Sequence, residues 1–151
     1  MVRAIGNNSD SSVEGEHGFT PTGATKMLPL VRRIVADLVE LERSIAAQRE
    51  QLQGVDSLAG TSTQHSYQEE LRDIRASLAQ DESRLQLCME ELTALGVKPH
   101  HPIDGGVDFP ATINRRPVYL CWNLGEDSVH HIHELDQAST KRKQLDPTAF
   151  K

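Results

Sequence analysis

The residues of this chain that could do chemistry are mainly histidines in its C-terminal third. Five of the seven histidines form two clusters, His100 with His101, and His130 with His131 and His133. On a β-strand, His131 and His133 would project from one face and could bind one divalent metal ion together with Asp136. Asp108 is an alternative carboxylate, and His100 or His101 could add a further nitrogen. The competing interpretation is that these histidines are hydrogen-bonded packing residues.

The same region also supports a metal-free site of the general-base type. A carboxylate bonded to an imidazole orients the ring and stabilises its protonated form, as general-base catalysis requires. We consider His133, Asp136, Asp108 and Arg142 as candidates for such a cluster at the end of a sheet, with hydrolysis as the reaction. The simpler alternative is structural: Asp136 caps a turn, Asp108 begins a strand, and Arg142 forms a surface ion pair.

Two apolar heptad ladders predict the scaffold that must position these residues. Apolar residues recur at alternating steps of three and four over 31–52 and again over 67–95, as in helices that pair along a seam. The intervening stretch 54–64 contains Gly, Ser and Thr and predicts a hairpin tip. Gln48 and Asp81 interrupt the seam, and polar residues there often fix register or oligomeric state. An antiparallel helical hairpin is therefore expected.

Local signals mark where these helices begin and end. Phe19, Thr20 and Pro21 supply a hydrophobic staple, an N-cap hydroxyl and a proline at the first helical position. Pro29 lies inside the helical pattern and predicts a kink or a short break there. Gly96 follows the last apolar position and is typical of a C-terminal cap.

Short extended runs replace the helical pattern after residue 97. Residues 107–111 and 118–122 predict the two strands of a hairpin, with the face that carries Trp122 packed on the helices. Residues 129–135 fit a third strand or, alternatively, a short helix, and we favour the strand. The fold class is therefore α+β, a long antiparallel helical hairpin (coiled-coil-like) with a small C-terminal antiparallel β-sheet of two or three strands.

Several short motifs along the chain resemble those of one family. They are Phe19-Thr20, Leu28-Pro29-Leu30-Val31, Leu95-Gly96-Val97, Val107-Asp108-Phe109-Pro110, Val118-Tyr119-Leu120-Cys121-Trp122, Leu124-Gly125-Glu126 and His133-Glu134-Leu135-Asp136. Over 19–145 the chain is similar to the prokaryotic domain of unknown function 2203. The resemblance implies an architecture and no established activity. The chain departs from the family at two places. Residues 138–142 stand where members have Gly-Phe-Ala-Gly-Arg, and of these five residues only Arg142 is shared. His131 and Ile132 stand where members have an aromatic residue followed by Trp.

Composition narrows the classes of function. The net charge of −6 and the pI near 5.6 argue against a general nucleic-acid binder, which would present a basic face. No signal peptide, anchor or long apolar run is evident, so we expect a cytoplasmic protein without membrane association. We expect Cys88 and Cys121 to be free buried thiols, with Cys121 as a packing group inside a strand rather than a nucleophile.

These signals divide the chain into a disordered N-terminal tail over 1–18, a single domain over 19–146, and a C-terminal tail over 147–151. Within the domain, 19–96 forms the kinked helix and hairpin and 97–146 the small β-subdomain.

Because the helical arm dominates, the first functional hypothesis is a non-enzymatic interaction or assembly module, acting as a homo-oligomer or on a protein partner. The alternative is a metal-binding or His/Asp-based hydrolytic site on the β-subdomain. The sequence leaves open whether the protein is an enzyme.

Overall fold

The computed structural model describes residues 18–58 and 65–145. Within them, two long α-helices precede a five-stranded antiparallel sheet in which the strands lie in sequence order. A short 3-10 helix, Ser139–Lys141, lies between the last two strands. The other elements are α1 (Pro21–Leu58), α2 (His65–Ala94), β1 (Lys98–Pro99), β2 (Gly106–Ile113), β3 (Arg116–Asn123), β4 (His131–Glu134) and β5 (Lys143–Gln144).

This architecture confirms the predicted α+β class and the helical hairpin. The predicted strand count of two or three was too low, because β1 and β5 extend the sheet at its two edges. Each of these edge strands has two residues, which is too short to show an alternating pattern in the sequence. The segment that fitted either a strand or a helix is a strand, since β4 pairs antiparallel with β3.

The first helix begins where the sequence signals predicted. Thr20 Oγ1 accepts a hydrogen bond from the Gly23 backbone N–H at 3.0 Å, which caps the helix, and Pro21 is its first residue. Of the predicted kink or short break at Pro29, the break does not occur, because Pro29 lies inside one continuous α-helix. Leu28 and Val31 on either side of it are buried. Their packing offsets the roughly 3 kcal/mol that an internal proline costs.

The second helix ends in the predicted glycine cap. Gly96 has a φ of +82°, the Val97 N–H donates to the Leu92 carbonyl, and the Gly96 N–H donates to that of Thr93. This pair of bonds is a Schellman motif. It turns the chain directly from α2 into the sheet.

The polar interruptions of the two heptad ladders meet inside the hairpin. Asp81 Oδ2 accepts hydrogen bonds from Gln48 Nε2 at 2.7 Å and from Ser44 Oγ at 3.0 Å. Partners of this kind satisfy a half-buried carboxylate and favour one register of the two helices.

The sheet has one apolar face and one polar face. The apolar face packs on the helices and confirms the predicted orientation of Trp122. Its buried residues are Val107, Phe109, Ala111, Val118, Leu120 and Trp122, which join Ala24, Leu28 and Val31 of α1 in one core. Strand alternation therefore directs the intervening residues of β2 and β3 away from the helices.

Three of the segments predicted from the sequence fall wholly or mostly outside the described residues. The predicted N-terminal tail, apart from Gly18, most of the hairpin tip and the C-terminal tail lie outside the described residues. Neither of the described helices combines the length and the apolar character that a membrane crossing requires.

Candidate metal centre

A tight turn brings Asp108 next to Cys121. Asn114 and Arg115 have positive φ values of 51° and 66°, as in the two-residue turns that join hairpin strands without splaying them. The resulting register of β2 and β3 pairs Asp108 with Cys121. Paired residues of antiparallel strands project from the same face, so the carboxylate and the thiol lie together on the polar side.

Two other segments add histidines to this face. His133 of β4 pairs with Tyr119, two residues from Cys121, and therefore lies on the same side. His100 directly follows β1, and its backbone N–H donates to the Gly106 carbonyl at 3.0 Å. A Cβ atom at Gly106 would collide with the His100 ring, so a glycine is needed for the imidazole to lie against β2.

Four side chains converge here, and we call them the tetrad: His100, Asp108, Cys121 and His133. Asp108 Oδ1 lies 3.0 Å from His100 Nε2 and 2.9 Å from His133 Nε2. The Cys121 sulfur lies 3.9 Å from His100 Nε2, and one ligand atom of each residue is within 4.8 Å of all the others. Cys121 is fully buried, and the two histidines are buried as well.

The outer nitrogen of each imidazole is held by an acceptor. His100 Nδ1 lies 3.0 Å from Asp104 Oδ1, which also accepts a hydrogen bond from the Gly106 N–H at 2.8 Å. His133 Nδ1 lies 2.9 Å from the Glu134 carbonyl oxygen. Carboxylates and backbone carbonyls orient metal-binding histidines in this way, because they leave Nε2 directed at the ion.

These contacts create a conflict of hydrogen-bonding roles. Both nitrogens of each imidazole face acceptor oxygens, whereas a neutral imidazole has only one N–H to donate. Burial lowers the pKa of His100, but the bond to Asp108 and the neighbouring Cys121 and carboxylates outweigh it and raise that pKa to about 10. Burial raises the pKa of Asp108, and its bonds to His100 and His133 hold it below the ordinary value. The centre thus requires either extra protons or a cation between the nitrogens and the carboxylate.

The donor set fits a transition-metal ion. Imidazole nitrogen, carboxylate oxygen and thiolate sulfur are the ligands of zinc, with bonds of about 2.0 to 2.3 Å. A tetrahedral site with such bonds separates its ligand atoms by roughly 3.2 to 3.6 Å. The separations of 2.9, 3.0 and 3.9 Å in the tetrad bracket this range. For these three pairs of ligand atoms, small side-chain shifts would give the separations that a bound ion requires.

The metal set predicted from the sequence is not assembled as one group. His133 belongs to the tetrad, while Asp136 is an exposed residue of the turn after β4. His131 shares the face of His133 but lies beside Glu126, with 3.6 Å between His131 Nδ1 and Glu126 Oε2. The His130 and His131 rings are 4.4 Å apart.

Arg142, a candidate of the general-base hypothesis, belongs to this second cluster. Its guanidinium binds both Glu126 carboxylate oxygens, at 3.0 and 2.7 Å. The ion pair raises the pKa of Arg142. Burial lowers the pKa of His131, and the positive charge of Arg142 lowers it further. Glu126 is therefore engaged by a cation of the protein itself, which makes this cluster a poor metal site.

Sequence reasoning found three members of the tetrad and missed the fourth. His133 and Asp108 were named candidates and His100 a supplementary nitrogen, whereas Cys121 was interpreted as a packing residue. The signal that could have found it is the hairpin turn, since a two-residue turn at 114–115 places Asp108 opposite Cys121. Asp104 carried no signal, because its role depends on the fold of the loop before β2.

Comparison with known proteins gives a family and no activity. The sequence profile of the family described as uncharacterized conserved protein (DUF2203) matches residues 17–145, which is most of the chain. No curated protein and no solved structure matches. The family resemblance expected from the sequence motifs is confirmed, and this chain belongs to the domain of unknown function 2203 family.

Proposed function

We propose that this protein binds one divalent transition-metal ion, preferentially zinc, through the four side chains of the tetrad. The observation that carries the proposal is the convergence of both histidine Nε2 atoms on one oxygen of Asp108. Their outer nitrogens already face acceptors, so a cation at the centre would satisfy all of these groups at once.

The types of ligand favour zinc over the hard cations. Magnesium and calcium select oxygen ligands, whereas a thiolate with two imidazoles suits zinc or ferrous iron. Cys121 is a free thiol, so it can ligate once it loses its proton. A cytoplasmic location, which the sequence suggests, would keep this thiol reduced.

A bound ion would supply Lewis-acid chemistry, through which water or a carbonyl group is polarised. The hydrolytic alternative considered from the sequence therefore remains compatible with this centre, on a revised set of residues. His100, His133 and Asp108 would hold the ion, Cys121 would close the set, and Asp104 would orient His100.

The competing interpretation is a metal-free polar cluster. In it, protons on both Nε2 atoms would bond to Asp108, and the outer nitrogens would bond to Asp104 and the Glu134 carbonyl. In such a cluster the buried charge of a protonated His100 would be paired with Asp104 and Asp108.

Metal analysis of the protein purified without a histidine tag separates these two interpretations. We expect about one zinc ion per chain after zinc reconstitution and desalting, and loss of the ion in His133→Ala, which removes a ligand. His131→Ala is the matched control, because it lies on the same strand and face but outside the tetrad, and it should retain zinc. Absence of metal from the reconstituted wild type would overturn the proposal, and zinc loss in His131→Ala would favour the set predicted from the sequence.

The interaction module expected from the helical arm stays a second proposal. Leu30 and Leu87 expose 50% and 59% of their surface, which leaves apolar positions on both helices available for a second copy. Light scattering across a range of concentrations tests self-association, and Leu87→Glu should weaken any dimer. A strict monomer at high concentration would contradict this proposal.

A further inference from the structure

The tetrad borders a surface cleft of about 400 Å³. His100, Asp108 and His133 line one part of it, whereas fully buried Cys121 does not belong to its wall. The cleft side of the centre is thus bounded by two imidazoles and a carboxylate, with the thiol behind them. A ligand in the cleft could reach an ion at the tetrad as a fifth ligand, an expansion of the kind that catalytic zinc sites with three protein ligands undergo.

A lysine and a tyrosine line another part of the same cleft. Lys98 of β1 pairs with Asp108 of β2, and its Nζ atom lies 3.1 Å from Tyr119 Oη and 5.3 Å from the Tyr119 ring centre. The Tyr119 ring is 5.5 Å from the His133 ring. These contacts place an ammonium group and a phenol next to the tetrad.

Both groups retain donors for a ligand. Among the described residues, Lys98 forms no ion pair with a carboxylate, and its ammonium uses one of three N–H donors on Tyr119. Tyr119 Oη accepts that bond and keeps its own O–H to donate. Two donors thus face the cleft, and one of them carries a positive charge.

The positive charge of Lys98 makes its part of the cleft attractive to an anion. An ion of charge +2 would be offset by Asp108 and the Cys121 thiolate, while Asp104, which also lines the cleft, is bonded to His100 and to the Gly106 N–H. Of the described residues that line the cleft, Lys98 then remains as the cation without a carboxylate partner. A ligand with a negatively charged oxygen would complement it and could also reach the metal.

We propose that the cleft binds a small molecule bearing an oxyanion, either a carboxylate or a phosphate. One oxygen binds the metal at the tetrad, and another accepts hydrogen bonds from Lys98 Nζ and Tyr119 Oη. This inference rests on the proposed metal site and specifies the class of ligand that the site accepts.

Cobalt substitution makes the inference testable, because the visible absorption of bound Co²⁺ reports its coordination. The full chain loaded with Co²⁺ is titrated with inorganic phosphate and, separately, with acetate, and cobalt content is measured after each titration. We expect saturable changes in the cobalt bands with at least one anion, without loss of cobalt. The anion that acts identifies which of the two oxyanion classes the cleft prefers.

Variants assign the effect to the cleft. Lys98→Met should lower the affinity for the anion about tenfold, which is the loss typical of one hydrogen bond to a charged group. The cobalt content should not change. Tyr119→Phe should lower this affinity less, because the Lys98 ammonium group remains. Lys143→Met is the control, since it removes the same charge from the exposed strand β5, outside the cleft.

The outcomes distinguish this inference from the metal site beneath it. Cobalt bands that neither anion changes, in protein that holds cobalt, would overturn the oxyanion site and leave the metal site standing. Equal anion affinities in Lys98→Met and the wild type would also overturn it. Failure of the wild type to bind cobalt or zinc would instead contradict the proposed function.

Discussion

The two faces of the β-sheet are built from alternate residues of the same strands, yet they differ in kind. On β2 and β3, Phe109 and Trp122 face the helices and are fully buried in the apolar core. Asp108 and Cys121, their immediate neighbours in sequence, face the other way into the tetrad. A shift of one residue in either strand would exchange the two sets.

The contrast shows that one face of the sheet stabilises the fold, whereas the other carries the polar side chains of the tetrad. The apolar face is stabilised by burial, which is non-directional and tolerates volume-conserving changes. The polar face depends on individual distances, such as those between Asp108 Oδ1 and the two histidine Nε2 atoms. Substitutions on the apolar face should therefore reduce stability, whereas substitutions on the polar face should reduce metal affinity.

The largest expected effect is on the apolar face. Trp122→Ala removes a fully buried ring and the hydrogen bond from its Nε1 to the Glu126 carbonyl. We expect the free energy of unfolding of metal-free protein to fall by about 3 to 5 kcal/mol, measured by chemical denaturation. Exposed Thr112→Ala on β2 should change it by less than about 0.5 kcal/mol. Equal losses in the two variants would contradict the assignment of the core to this face.

On the polar face, Asp108→Asn should preserve shape and remove the charged ligand. We expect zinc affinity to fall by at least about a hundredfold, measured by competition with a chromophoric chelator. Asp136→Asn serves as the control, because that exposed carboxylate lies outside the tetrad. The zinc affinity of this variant should match that of the wild type. A larger loss of zinc affinity in Asp136→Asn than in Asp108→Asn would instead support the set predicted from the sequence, His131, His133 and Asp136.

A smaller effect is expected one layer outside the tetrad. Asp104→Asn keeps a side-chain oxygen but removes the negative charge opposite His100 Nδ1. Zinc affinity should fall about tenfold, at the lower end of what outer partners of metal-binding histidines contribute. Isothermal titration calorimetry with zinc measures the change. A loss as large as that of Asp108→Asn would show that Asp104 itself ligates the ion.

How far the sequence predicted this arrangement differs between elements. The heptad ladders, the Thr20 cap and the Gly96 cap are local patterns with known geometry, so the two long helices were predicted, although the break expected at Pro29 does not occur. The strands β1 and β5 were missed because a two-residue strand is defined by its partner and carries no pattern of its own.

The candidate site was predicted only in part, for a similar reason. Asp136 and His131 were grouped with His133 because they are close in sequence, but the tetrad draws one residue from each of four separate positions, 100, 108, 121 and 133. Cys121 lies in an apolar run, and only its cross-strand pairing with Asp108 shows that the thiol faces the polar side. Sites that depend on register require the strand pairing to be worked out before the ligands are grouped.

X-ray absorption spectroscopy at the zinc edge of reconstituted wild-type protein tests the central claim most directly, because it identifies the atoms around the ion. An ion bound by the tetrad should have one sulfur ligand at about 2.3 Å, together with two imidazole nitrogens and a carboxylate oxygen at about 2.0 to 2.2 Å. Cys121→Ser should remove the sulfur contribution and leave the others. A first shell that contains only nitrogen and oxygen in the wild type would contradict the tetrad as the metal site.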